Sequence, residues 1–238
     1  LEPFMETIRK QHEDIVKSSQ MRQEFTANVS HELKTPLTAI SGYAELIANG
    51  MTSGDDTIRF AGEISKSSNR LLTLINDILR LSELDASTEV PMEEIDLYEL
   101  AEKCVSMLQI SAEKQNVTLM LTGKPTRMQA NREMMEELLY NLVSNAIRYN
   151  RPYGNVVVSV NREEEQVHLT VEDTGIGISQ ADQERVFERF YRVDKSRSKS
   201  TGGTGLGLAI VKHVVQCHGA KLNMQSQLGS GTRIDVIF

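Results

Sequence analysis

The sequence predicts a multi-domain protein in which an all-α helical hairpin is followed by an α/β domain. Two observations lead to this prediction. Apolar residues recur at three- and four-residue steps through the first 86 residues, as they do on helices packed in a bundle. Beyond residue 91, short alternating segments typical of strands come between helical patterns. The polar residues 87–91 contain a proline and predict a linker between the two parts.

The N-terminal part predicts two long helices. The first runs from about residue 3 to 49 and ends at Asn49-Gly50, a usual helix terminator. Its residues 1–24 carry an incomplete heptad stripe, which is marginal as a lone coiled coil. The second helix runs from about residue 56 to 86 and carries a wide apolar stripe. The stripe consists of Ile58, Ala61, Ile64, Ser68, Leu71, Leu72, Ile75, Ile78, Leu79 and Leu81.

One hairpin cannot cover a stripe of this width. We therefore expect two copies of the chain to associate through residues 1–86 as a four-helix bundle. The alternative is that the stripe packs against the second domain.

The second part alternates between strand and helix patterns. The predicted strands are Ile95–Leu97, 117–122, 127–130, Val156–Val160, Val167–Val171 and two more before Phe238. The predicted helices are Tyr98–Gln115, Arg132–Tyr149 and Leu206–His218. The fold of this part is therefore mixed α/β.

Composition excludes several classes of protein. The net charge of −7 argues against a general nucleic-acid binder. Cys104 and Cys217 lie far apart in predicted helices, which favours two free thiols. No apolar run reaches the ~18 residues that span a bilayer. Because the chain begins at Leu1 within a helical pattern, we expect a soluble fragment of a longer protein.

The first chemically informative segment is FTANVSHELKTPL, residues 25–37. Its polar residues alternate with apolar ones so that the His31 imidazole is expected outside. Glu32 supplies a carboxylate that can hold one ring N–H and leave the other nitrogen nucleophilic. Thr35 lies one turn along the same face, and Pro36 should bend the helix. Zinc is not expected, since the H-E-x-x-H spacing has a threonine in place of the second histidine.

Polar residues in the second part are compatible with a site for a phosphorylated ligand, although two asparagines on a helix are more often solvent-facing or structural, and a D-x-G-x-G string alone also fits a tight turn. Asn141, Asn145 and Arg148 fall on one helix face, where amide oxygens suit Mg²⁺ and the guanidinium suits phosphate. Asp173-Thr174-Gly175-Ile176-Gly177 follows a strand, and its glycines allow backbone to approach a ring closely.

Gly203-Thr204-Gly205-Leu206-Gly207 opens a predicted helix whose first N–H groups can bind anions. The turn is not a dinucleotide fingerprint, since it follows a loop instead of a strand, and it lacks the Gly-Lys-Ser/Thr of a Walker A loop. The preceding basic segment Ser179–Gly202, which includes Arg197, is either a solvated loop or a lid over the ligand. Phe187 and Phe190 are interpreted as its anchors.

The run SHELKTPL resembles the H-box of sensor histidine kinases. The Asn141, Asp173, Phe187 and Gly203 motifs resemble, in that family's order, the N, G1, F and G2 boxes of its ATP-binding domain. The resemblance covers roughly residues 20–238. It implies a signalling helix or coiled coil over 1–24, a dimerisation and histidine phosphotransfer domain over 25–86, and an ATP-binding domain over 92–238. That last domain would be a two-layer sandwich with a mixed sheet, of the gyrase (Bergerat) type.

The resemblance also implies residue roles. His31 would be phosphorylated, Glu32 would act as its base, and Thr35 would serve a phosphatase activity. ATP would be bound by Asn141, Asn145, Arg148, Tyr149, Asp173, Gly175, Gly177, Arg197, Gly203, Thr204, Gly205, Leu206 and Gly207, with Mg²⁺ on Asn141. Related ATPases have a glutamate at the position of Asn141, so the asparagine favours a kinase.

The implied activity is autophosphorylation of His31 by ATP and transfer of the phosphoryl group to an aspartate of a response regulator. The regulator is expected to dock near Thr38 to Ile47, and the full-length protein is expected to be anchored in the cell membrane with this part in the cytoplasm. The alternatives are a degenerate nucleotide-binding scaffold, an ATPase clamp, or a kinase that modifies serine on another protein.

Overall fold

A computed structural model describes residues 2–86, 90–193 and 203–238, with side chains before residue 23 described only in part. The chain divides into two compact units, Leu1–Asn76 and Asp77–Phe238. The division falls inside the second helix. The domain limits expected from the sequence stay a prediction.

The first unit is a helical hairpin. Helix α1 spans Glu2–Ala48 and continues through Pro36, and helix α2 spans Asp55–Ala86. The turn between them contains Gly50 and Gly54, both with positive φ, and a hydrogen bond joins the hydroxyls of Thr52 and Thr57. Farther along the hairpin, the rings of Tyr43 and Phe60 stack with centroids 5.0 Å apart. These contacts confirm the predicted pair of helices.

The apolar stripe of α2 divides into two faces in the single chain. Ile64 and Leu71 lie partly buried on one face. On the other, Ile58, Leu72 and Ile75 are 73%, 59% and 38% exposed. This exposed apolar face is the surface that the predicted four-helix bundle would bury.

The second unit begins with the last residues of α2 and continues as an α/β fold. Its helices are α3 (Leu97–Lys114), α4 (Arg132–Arg148) and α5 (Gly207–Cys217), and Arg185–Phe187 forms a 3₁₀ turn. Its strands are β1 (Glu93–Asp96), β2 (Thr118–Gly123), β3 (Arg127–Ala130), β4 (Asn155–Glu163), β5 (Gln166–Asp173), β6 (Lys221–Gln227) and β7 (Gly231–Ile237).

The strands form two sheets. β1 and β3 pair antiparallel, and the larger sheet has the order β2-β4-β5-β7-β6. Among the strands that the structure describes, its β2–β4 pair is parallel and its other pairs are antiparallel, so the predicted mixed sheet is confirmed. Alternate residues of β4 (Val156, Val158 and Val160) are fully buried, as expected for a strand with one face on the core. Helix α4 packs against β4 and β5, and α3 and α5 lie on either side of α4.

Capping side chains decide where two helices begin. Asp96 accepts hydrogen bonds from the N–H groups of Tyr98 and Glu99, so helix α3 starts at Leu97. The sequence placed Leu97 at the end of a strand, and the cap explains the difference. Asn131 caps α4 in the same manner through Met134 N–H.

Within the described residues, no helix is both long enough and apolar enough to cross a membrane.

Candidate nucleotide and phospho-acceptor site

The His31 side chain is exposed on α1, as the sequence predicts. The neighbouring Glu32 is partly buried, and its Oε2 accepts a hydrogen bond from Arg70 Nη2 of α2 at 3.0 Å. Thr35 is exposed, and its Oγ1 donates to the His31 carbonyl oxygen at 3.2 Å. The arrangement places a fixed carboxylate beside a solvent-accessible imidazole. Sequence reasoning missed Arg70, because the ion pair joins residues 38 positions apart.

The Asn141 face of α4 lies against the start of α5. Asn141 donates from Nδ2 to the Glu137 carbonyl at 2.9 Å, which leaves Oδ1 directed towards Gly207. A Cβ on Gly207 would lie 2.6 Å from Asn141 Oδ1 and 3.6 Å from Asn145 Nδ2. A side chain at residue 207 would displace the Asn141 amide, and this close approach shows that the structure brings two separate sequence motifs together.

The end of α4 lies close to both glycine motifs, the one that follows β5 and the one that precedes α5. A Cβ on Gly203 would lie 3.0 Å from the Tyr149 hydroxyl and 3.4 Å from Arg148 Nη1. The Tyr149 carbonyl accepts the Ile176 N–H at 3.1 Å, and it also lies 2.4 Å from where a Cβ on Gly175 would stand. Arg148 and Tyr149 thus lie between the turn that follows β5 and the turn that precedes α5.

The Asp173 carboxyl stands at the end of β5 and accepts the Gly175 N–H at 2.7 Å. Burial raises the pKa of Asp173 to about 6, against the lowering effect of the backbone N–H groups of Gly175 and Thr232. A desolvated carboxylate that makes few hydrogen bonds is a strong acceptor for an amino group. Gly177, with φ +66, completes the turn, where a side chain would collide with the Gln227 carbonyl.

The glycine turn before α5, Gly203–Gly207, is held by one hydrogen bond from outside the turn and one within it. Phe190 is 9% exposed, and its N–H donates to the Gly205 carbonyl at 2.8 Å. Thr204 is buried, and its Oγ1 accepts the Leu206 N–H at 3.3 Å. Gly205 has φ +77, a conformation that glycine adopts readily. The predicted anchoring role of Phe190 agrees with this contact.

Part of the predicted lid is attached to the fold. Ser179 donates to Asp182 Oδ2 at 2.6 Å, and Gln183 Nε2 donates to the Ser226 carbonyl at 2.8 Å. The Arg185 guanidinium lies over the Tyr191 ring, 4.2 Å from its centroid. Arg197 lies outside the described residues, so its predicted place in the site stays a prediction.

Two family models match the chain in succession. Residues 21–87 match the His Kinase A (phospho-acceptor) domain, and residues 130–238 match the histidine kinase-, DNA gyrase B-, and HSP90-like ATPase. The chain belongs to the sensor histidine kinases. The chain is 40% identical over 214 residues to the sensor-like histidine kinase SenX3 of Mycolicibacterium smegmatis, and the match covers 89% of this chain and 56% of SenX3. It thus spans about half the length of this curated relative.

Solved structures resemble this chain in fold. Full-length ShkA in complex with AMPPNP superposes with a TM-score of 0.65 at 26% identity, covering 90% of this chain and 45% of ShkA. Histidine kinase ThkA in complex with the response regulator protein TrrA gives a TM-score of 0.76 at 22% identity, and the match covers 93% of this chain and 63% of the ThkA chain. The second likeness concerns the fold alone.

Proposed function

We propose that this chain is the kinase core of a longer protein, phosphorylates His31 with the γ-phosphate of ATP, and passes the phosphoryl group to an aspartate of a response regulator. The observation that supports this most is the convergence of the Asn141, Asp173 and Gly203 motifs in one unit, together with an exposed His31 in the other. The likeness to ShkA, solved with AMPPNP, supports ATP as the nucleotide.

The residues divide the binding task by chemistry. Asp173 accepts from the adenine amino group, because its buried carboxyl favours a charged-acceptor hydrogen bond. Arg148 and the N–H groups at the start of α5 face the phosphate groups, since both are suited to anions. Glu32, held by Arg70, orients the His31 ring and takes its proton during attack on the γ-phosphate.

A magnesium ion fits the residues on the α4 face. Asn141 Oδ1 is directed into the space that Gly207 leaves open, and an amide oxygen is a suitable ligand for this cation. When bound, the ion would neutralise charge on the phosphate groups. Asn141 would hold it, and Asn145 would support the same face.

The phospho-acceptor hairpin supports two proposals about partners. The exposed face of α2 at Ile58, Leu72 and Ile75 supports a homodimer that buries it as a four-helix bundle. Exposed side chains between Thr38 and Ile47 on α1 support docking of the response regulator below His31. Attachment of the longer protein to the cell membrane stays a prediction.

The test is incorporation of label from γ-labelled ATP. We expect an acid-labile, base-stable label, as a phosphoramidate on histidine requires, and we expect His31→Gln to abolish it. His12→Gln is the matched control, since His12 is another exposed histidine on the same helix, and it should label normally.

Other outcomes identify the alternatives. Label retained by His31→Gln would indicate another acceptor, as in a serine kinase. Nucleotide binding without label would indicate a degenerate scaffold, and phosphate release without label would indicate an ATPase clamp.

A further inference from the structure

The last ten residues of α2, residues 77–86, pack within the same compact unit as the nucleotide site. We call them the helix tail. Leu81 and Leu84 of the helix tail are 1% and 3% exposed, so the side that carries them is covered, while Leu79 on another side is 57% exposed. The helix tail is therefore bound to the ATP-binding fold in this state, although the sequence assigns it to the phosphotransfer hairpin.

Ion pairs made by two arginines, Arg80 and Arg189, fasten the helix tail outside the glycine turn. Arg80 Nε donates to Glu137 Oε2 of α4 at 2.8 Å, and its Nη2 lies 3.5 Å from Glu133. Arg189 Nη2 donates to both carboxylate oxygens of Asp85, at 2.8 and 2.9 Å. Glu137 precedes Asn141 by one helical turn, so this attachment adjoins the nucleotide site.

A third contact reaches into the glycine turn itself. Thr204 Oγ1 donates to Asp77 Oδ2 at 2.6 Å, and Thr204 stands between Gly203 and Gly205. Burial raises the pKa of Asp77, while the Thr204 hydrogen bond and the charge of Arg148 lower it. The Asp77 carboxylate thus lies beside the Thr204 hydroxyl and within the influence of the Arg148 charge, and both of these groups are also suited to phosphate.

Two anions cannot share this small set of donors without repulsion. We propose that Asp77 competes with the nucleotide's phosphate groups for the glycine turn, so that nucleotide binding releases the helix tail from the ATP-binding fold. By reciprocity, the attached helix tail weakens nucleotide binding by the same factor. This inference rests on the proposed function, because it requires that ATP phosphates lie at Gly203–Gly207. The device couples nucleotide occupancy to the freedom of the helix that continues into the phosphotransfer hairpin.

The first test measures how affinity depends on phosphate charge. Asp77→Asn keeps the size of the side chain and removes its charge. We expect it to bind ATP about fivefold or more tightly than the unmodified chain, ADP less so, and adenosine within twofold of the unmodified chain. Asp56→Asn is the matched control, since Asp56 is an exposed acid of the same helix paired with Arg59. Calorimetry on the full chain gives each affinity, and circular dichroism confirms that the variants are folded.

The second test separates release of the helix tail from a local charge effect. Arg80→Gln loosens the attachment without altering a group at the glycine turn, and it should also raise ATP affinity. Hydrogen exchange in residues 77–86 should become faster on addition of ATP and stay unchanged with adenosine.

The outcomes divide clearly. Asp77→Asn that binds ATP no more tightly than the unmodified chain would overturn the competition. Unchanged ATP affinity in Arg80→Gln, or unchanged exchange in the helix tail, would overturn its release. Failure of the unmodified chain to bind any adenine nucleotide would instead refute the proposed function.

Discussion

Replacing Asp173 by asparagine should remove nucleotide binding and at the same time stabilise the nucleotide-free protein. The carboxyl is partly buried at the end of β5, and burial raises its pKa from 3.8 to about 6. The folded protein therefore disfavours the charged form, which costs stability at neutral pH. An amide of the same size carries no charge to desolvate, and its oxygen can still accept the Gly175 N–H.

The size of the effect follows from the pKa. A rise from 3.8 to about 6 corresponds to about 3 kcal/mol at 1.36 kcal/mol per pKa unit. Because the carboxyl is only partly buried and water screens its charge, we expect about 1–2 kcal/mol.

The direction of the Asp173 pKa shift also fixes how the loss of stability depends on pH. The penalty is complete above the folded pKa of about 6, declines as pH falls, and vanishes below the unfolded value near 3.8. At pH 4.5 it should be roughly one third of its value at pH 7.5.

Urea unfolding of Asp173→Asn and the unmodified chain, without nucleotide, at pH 7.5 and 4.5 measures this difference. Asp235→Asn is the control in the neighbouring strand β7. Burial raises the pKa of Asp235, but hydrogen bonds from Arg233 and Thr170 outweigh it and the net pKa is lowered. That substitution should destabilise the protein at both pH values, because the stability that the charged Asp235 contributes is lost only as pH falls below about 3.8.

The effect assigned to burial is refuted if Asp173→Asn is no more stable than the unmodified chain at pH 7.5, or if its gain in stability does not depend on pH. Our placement of adenine is refuted if calorimetry shows ATP affinity reduced less than tenfold, or ~1.4 kcal/mol.

Two further predictions concern the phosphotransfer hairpin. Leu72→Glu with Ile75→Glu should give monomers or unfolded chain by light scattering, because charges cannot be buried in a bundle. The control is Met107→Glu with Ile110→Glu, an exposed apolar pair on α3, which should leave the dimer intact. A well-folded monomer from this control pair alone would contradict the bundle. Thr35→Ala should keep autophosphorylation of His31 but lose response-regulator dephosphorylation by tenfold or more, roughly 1.4 kcal/mol of barrier, because a hydroxyl there can hold the attacking water. Thr35→Ser should restore it, while equal loss of both activities would indicate that the His31 carbonyl contact only shapes the helix.

The sequence alone determined the order of the helices and strands, although not all of their ends, and it identified the motifs of the site. Both depend on local regularities. The spacing of Asn141, Asn145 and Arg148 places them on one helix face in any fold that keeps the helix. Alternation along β4 and β5 likewise predicts which valines are buried. The exposed position of His31 followed from the polar and apolar pattern around it.

Only the tertiary structure decided which separate segments meet. Arg70 holds Glu32 across 38 residues, and Thr204 donates to Asp77 across 127. The same holds for Gly207, which could be read from the sequence as part of a turn but not as the neighbour of Asn141. Periodicity describes how a residue is oriented within its own element. Which partner it meets depends on how the elements pack, and that is set by the burial of many side chains at once.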